Sequence, residues 1–297
     1  MKAKVSILAG TLLLCTSCLN SEQFETPEPE TTTPVRVHVN AFSFSQEDFP
    51  GGLTRAAQAP GAYSDVKAID LAIFSGTKLV YSDTQLRLDA SNYTTFGEFE
   101  CQLPIDSYTM VAVARNVTAG DKFEITSPTQ AAYTTERARE TFCSVQNIKV
   151  EGDKPVDVTP QMNRVMAKFR LVSTDAVPAG VAKIRTTYAA GSRSFNPTTG
   201  LATDNKGFVV TNTGTPSTGG ILDVHSFLFL NTDEQTVDVT VEVLDAADKV
   251  LITKHLGDVH FKRNQVTKAT GVVFIPGTST FSFMLNTDWL PEEEIHF

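Results

Sequence analysis

No run of apolar residues in this 297-residue sequence is long enough to cross a bilayer as a helix, because roughly 30 Å of hydrocarbon needs about 20 residues. Basic clusters are missing too. The longest is the pair Lys262-Arg263, in a chain of net charge −9. A nucleic-acid partner requires Lys and Arg gathered on one face, so that class is excluded. No Gly-x-Ser-x-Gly elbow, phosphate loop or dinucleotide fingerprint occurs. His38, His225, His255, His260 and His296 are scattered, whereas zinc sites bring His or Cys into close spacing. His255 and His260, with Asp258 between them, come nearest to a ligand set, and no further ligand stands beside them. Asp204-Asn205 lacks the alternating oxygens of a calcium loop, and Glu292-Glu293-Glu294 reads as a solvated charge run. The expectation is a chain without cofactor, metal or catalytic site, and not an enzyme.

Cysteine is scarce as well, and two of the four, Cys15 and Cys18, close the opening segment MKAKVSILAGTLLLCTSC. Lys2 and Lys4 make a basic start and Val5 to Leu14 a short apolar centre. That order is the order of an export signal. Ser17 before Cys18 resembles the cleavage box of a bacterial lipoprotein, although Cys15 stands where that box usually has leucine. On this reading residues 1–17 are the signal peptide and Cys18 is the first mature residue. Its acyl chains would hold the protein on a membrane, each buried methylene contributing roughly 0.8 kcal/mol. Residues 18–34 are acidic, with Pro and Thr, and read as a solvated linker. Cys101 and Cys143 remain. An exported chain can join them in a disulfide, and two buried thiols are equally ordinary.

What is abundant is period two. Val35, Val37 and Val39 alternate with Arg36, His38 and Asn40, and Val237 to Val243 alternate with Asp238, Thr240 and Glu242. Such alternation places one face on a core and the other toward water. Further strands are expected at 66–74, 78–82, 95–103, 107–115, 144–150, 182–189, 221–230, 249–256, 266–275 and 279–285, many rich in Val, Ile, Phe and Thr. Helical spacing is best at 129–141, TQAAYTTERARET. Turns are signalled by Ser75-Gly76 and by Asn196-Pro197-Thr198-Thr199-Gly200, where Pro presets φ and Gly permits φ > 0. The fold class is therefore all-β, as two tandem antiparallel β-sandwich domains. Pro155 and Pro160 flank a polar stretch that divides an N-terminal domain at 35–158 from a C-terminal one at 159–297.

Several runs carry a resemblance: Val66-Lys67-Ala68-Ile69-Asp70-Leu71-Ala72-Ile73-Phe74, Tyr108-Thr109-Met110-Val111-Ala112-Val113-Ala114-Arg115-Asn116, Met162-Asn163-Arg164-Val165-Met166-Ala167-Lys168-Phe169, Phe195-Asn196-Pro197-Thr198-Thr199-Gly200 and Lys262-Arg263-Asn264-Gln265-Val266-Thr267. In this order, behind a lipoprotein start, they resemble the FimB-type fimbrial anchor and accessory subunits of Bacteroidales type V pili. The resemblance implies transthyretin-like sandwiches, lipidation at Cys18, attachment to the outer membrane at the cell surface, other pilin subunits as partners, and no enzyme activity. It also implies assembly by strand complementation, in which a strand from one subunit completes a sheet of another. Phe281, Phe283 and Leu285 share one face of the C-terminal segment and are the candidate donor. Arg55 is the candidate site for an arginine-specific protease; an anchor would keep it intact, a shaft subunit would lose it with the first strand. The competing class is a surface glycan-binding lipoprotein, which needs exposed aromatic platforms. One Trp and six Tyr supply few.

Overall fold

Every regular element in the described residues is a strand. The structure, a computed structural model, describes residues 32–39, 41–43, 65–87, 95–135, 137–152, 154–212, 217–277 and 280–286. A three-stranded sheet has the order β10 (Val156–Val158), β1 (Thr32–His38), β5 (Glu98–Pro104). It faces a six-stranded sheet ordered β2 (Ala41–Ser43), β11 (Gln161–Arg164), β9 (Thr141–Val150), β6 (Asp106–Arg115), β3 (Ala68–Ser75), β4 (Lys78–Leu86). Alternate side chains of β1, β3, β5 and β6 meet between them, among them Val35, Val37, Ile69, Leu71, Phe99 and Met110. Burying each such side chain contributes about 1.5–3 kcal/mol.

The second half repeats the plan with different strands. One sheet runs β17 (Ile221–Leu228), β12 (Ala167–Ala176), β20 (Val266–Gly271), β21 (Phe281–Asn286). The other runs β16 (Phe208–Asn212), β13 (Lys183–Tyr188), β18 (Glu234–Leu244), β19 (Val250–Lys262). Their core gathers Phe169, Leu171, Tyr188, Phe261 and the four valines of β18. Pairing is mostly antiparallel, but β1–β10, β2–β11 and β12–β20 are parallel.

The two sandwiches are fused rather than strung together. A fifth sheet, β15 (Leu201–Ala202), β14 (Ser194–Asn196), β8 (Gln130–Tyr133), β7 (Phe123–Ser127), draws two strands from each half. It covers the second face of the six-stranded sheet, around Phe74, Val113, Tyr133, Phe195 and Phe229. That explains why Ala68–Phe74 and Met110–Arg115 are buried without interruption instead of alternating. A sheet covered on both faces has no polar side. Thr32–Phe297 accordingly forms one compact unit. The sequence boundary at 158/159 falls between β10 and β11, both of which pair within the first half; the chain crosses over between Arg164 and Ala167.

The helix expected at 129–141 is replaced by β8, and residues 134–135 and 137–140 are irregular before β9. Ala131, Tyr133, Ala138 and Glu140 are all buried. β8 is flanked by β7 and β14, so pairing on both edges overrides a modest helical propensity.

Candidate functional site

The first described strand holds an unusual position. β1 lies between β5 and β10, antiparallel to one from Thr32↔Pro104 to His38↔Glu98 and parallel to the other from Val35↔Val156 to Val37↔Val158. Val35, Val37 and Val39 point inward and are fully buried. On the outer face Arg36 lies 3.7 Å from Glu100 and opposite Asp157. His38 bonds Glu98 through Nδ1 and lies 3.6 Å from Asp157 through Nε2. The hydrogen bond to Glu98 raises the His38 pKa above its ordinary value, against the smaller effect of burial. Two basic side chains on the central strand, Arg36 and His38, are thus flanked by three carboxylates on its neighbours.

The C-terminal strand is seated differently. β21 pairs antiparallel with β20, from Val266↔Asn286 to Gly271↔Phe281, at the edge of its sheet. Sequence left open whether this segment is paired in its own chain or free to donate; here it is paired. Phe281 packs on the second core, over Gly271, where a Cβ would meet its ring at 2.5 Å. Phe283 and Leu285, on the same face, remain 44% and 41% exposed.

Three of the quoted runs converge at the crossover between halves. Arg164 pairs with Glu140 at 2.7 Å, with both side chains under 10% exposed at 3% and 8%. It also donates to Asn264 Oδ1 at 2.9 Å and covers the Phe142 ring at 4.8 Å. Asn264, at φ 59°, donates its N–H to Met166 O. Arg263 bridges Asp233 and the Thr199 carbonyl, at 2.6 and 2.8 Å, and Thr198 donates to Pro128 O in the first half. Gly200 sits at φ +71°, and a Cβ there would lie 3.0 Å from Val165. Phe195 stacks on Phe229 at 4.4 Å between centroids. These motifs build a joint.

The candidate disulfide is not formed. Cys101 and Cys143 are both free and buried, and they face different cores on opposite sides of the six-stranded sheet. Burial pushes Cys101 up to about 11 and Cys143 higher still, so both stay as thiols. Cys18 and Arg55 lie outside the described residues, as does Trp289. His255 bonds Thr240 Oγ1 at 3.1 Å, while His260 faces Glu234 at 3.6 Å. Burial, reinforced by the Lys168 ammonium, pushes His225 down to about 4. Among the described residues no group of three or more His, Cys, Asp or Glu could hold a metal ion.

Sequence reasoning missed the roles of Glu98, Glu100 and Asp157, and of the Arg164–Glu140 pair. Alternation put Arg36 and His38 on one face of a strand, but only register could say which carboxylates face them.

Residues 36–294 match the model of a family of unknown function, DUF6562. Comparison with curated proteins by sequence returns no match. Among solved structures, a candidate adhesin of Bacteroides ovatus shares the fold at 12% identity and a TM-score of 0.50, over 90% of this chain and 97% of that one. The fimbrial anchor protein Mfa2 of Porphyromonas gingivalis is similar at 10% identity and a TM-score of 0.47, over 86% and 98%. A candidate polysaccharide-binding protein (DUF1812) of Bacteroides thetaiotaomicron is similar at 12% identity and 0.49, over 86% and 96%.

Proposed function

The chain belongs to DUF6562, a family of unknown function, and from that premise we propose that it is a lipid-anchored subunit of a surface fimbria, an anchor or accessory one, assembling with other pilin subunits by strand complementation. The observation that carries this reading is the seat of β1. The linker expected at 18–34 gives way to this strand already at Thr32, with Thr33 fully buried, and the strand is the central one of its sheet. Taking β1 away would leave β5 and β10 with unpaired edges and an apolar groove between them, the form that accepts a strand from another subunit. Leaving Arg55 intact keeps the lipid, β1 and the body in one covalent chain, as an anchor at the outer membrane requires. A fold shared with a candidate adhesin supports a place at the cell surface. The function is structural, with no enzyme activity. The glycan-binding alternative draws little support: Phe283 is the one aromatic among the exposed large hydrophobics of the described residues.

Mass spectrometry of the mature protein from outer membranes is the direct test. The expected product begins at acylated Cys18 and retains Arg55. A product beginning at Ala56 overturns the anchor position, and an unmodified start overturns the lipid tether. Deletion of the gene is expected to abolish fimbriae or shed them into the medium. Unchanged fimbriae, with binding on a sugar array, would favour the glycan-binding reading instead.

A further inference from the structure

The groove under β1 has two faces, and both are shaped to one kind of strand. Inside, it takes Val35, Val37 and Val39 with no residual exposure. Packed interiors tolerate little added volume. Outside, Glu100 and Asp157 flank Arg36, and Glu98 and Asp157 flank His38. A strand without cations there leaves three carboxylates around neutral groups, and one with acidic residues sets like charges opposite each other.

The chain's own C-terminal strand fails on both faces. With Phe281, Phe283 and Leu285 inward, two aromatic rings and a leucine, all larger than valine, must enter valine sites, while Ser282 and Met284 stand opposite the carboxylates. Turned over, Ser282 and Met284 fill the pockets poorly and the aromatic rings face the carboxylates. A shift of register by one residue only exchanges these two arrangements.

We propose that the β1 groove is keyed to strands with small β-branched side chains on one face and cations on the other, and that it rejects the C-terminal strand of a second copy. The inference rests on the strand-complementation reading above and adds a selectivity to it. Glu98, Glu100 and Asp157 are the selecting residues on the outer face, and the valine sites select on the inner one. The chain can then end a fibre or join a different subunit, and it does not propagate itself into a homopolymer.

The test uses the full-length chain in detergent with a unique protease site introduced around Arg55. After cutting, fluorescent peptides of residues 32–39 and 280–286 are offered in excess. The expected result is capture of the first peptide at least about tenfold more tightly than the second. Substituting Glu98→Gln, Glu100→Gln and Asp157→Asn together should weaken that capture by about tenfold, and salt near about 1 M should do the same to the unsubstituted protein. Equal capture of the two peptides, or homopolymers of the cut protein in light scattering, overturns the proposal. So does equal capture of a first-strand peptide carrying Arg36→Glu and His38→Glu. If the cut segment exchanges with neither peptide, strand exchange itself falls and the selectivity with it. The fimbrial phenotype of the deletion still tests the surface-subunit reading separately.

Discussion

Two places join distant parts of this chain, and they are built by opposite means. At the crossover between halves, Arg164 and Glu140 are buried together, Phe195 stacks on Phe229, and Gly200 lets the backbone close on Val165. At the β1 seat the ion pairs lie on a solvent-facing surface, and small valines fill the groove. Buried charges cannot be exchanged cheaply, because each is stranded when its partner leaves. Exposed pairs are worth little and are rehydrated at once when broken. The first arrangement suits a permanent joint. In the second, the outer-face charges specify the strand's place by pattern and add little to the cost of its departure, which the buried valines and the two paired edges set.

The contrast is broken most sharply at Arg164. Arg164→Ala leaves the Glu140 carboxylate buried without this guanidinium and is expected to lower stability by about 3–5 kcal/mol, read by urea denaturation. Adding Glu140→Leu should recover part of the loss, since the buried carboxylate is then gone. Gly200→Ala comes next. A non-glycine residue at this positive φ, against Val165 and Arg263, is expected to cost about 1–3 kcal/mol, seen as a lower melting temperature. At the other site Arg36→Ala should change global stability by less than about 1 kcal/mol, while hydrogen exchange of the β1 amides speeds up. Should Arg36→Ala cost as much as Arg164→Ala, the distinction between joint and seat is wrong.

The smallest effect is the pH response of the seat. The His38 pKa is raised in the folded protein by Glu98, with Asp157 adding to it and Arg36 the cation on its own strand. The protonated form is therefore favoured by folding. Its contribution is complete below the ordinary histidine value near 6.5 and is lost as pH rises through the higher folded value. Exchange of the β1 amides, corrected for intrinsic rates, is expected to accelerate across that rise in the native chain. The acceleration should vanish in His38→Gln, and its persistence there would assign the effect to another group.

Much of this was legible beforehand. Alternation located β1 and β18, and the apolar runs around Ile69 and Val111 located β3 and β6, two adjacent inner strands of the six-stranded sheet. The stretch 129–141 misled because Ala, Glu and Arg have a helical propensity that is local, whereas the neighbours making β8 a strand lie in β7 and β14, the latter in the other half. The quoted runs were informative about kinship and silent about role. Asn196–Gly200, Lys262–Gln265 and Arg164 are far apart in the chain, and their meeting at one joint is a property of the sheets that carry them. The two thiols were a candidate pair until the six-stranded sheet came between them.

By itself the sequence determined the class of the molecule, since a period of two in apolar residues can be satisfied only by pleated strands with a buried face. It also carries the basic start, the apolar centre and the cysteine on which the expectation of a lipoprotein signal rests, because such a signal is read from an extended chain before folding. Only the tertiary structure decided neighbours. His38 meets Glu98 across 60 positions and Thr33 meets Gly152 across 119. An alternating pattern says which face of a strand is inward but not which strand lies beside it. That choice falls to the summed packing of both sandwiches, and it sets Arg36 and His38 beside Glu98, Glu100 and Asp157.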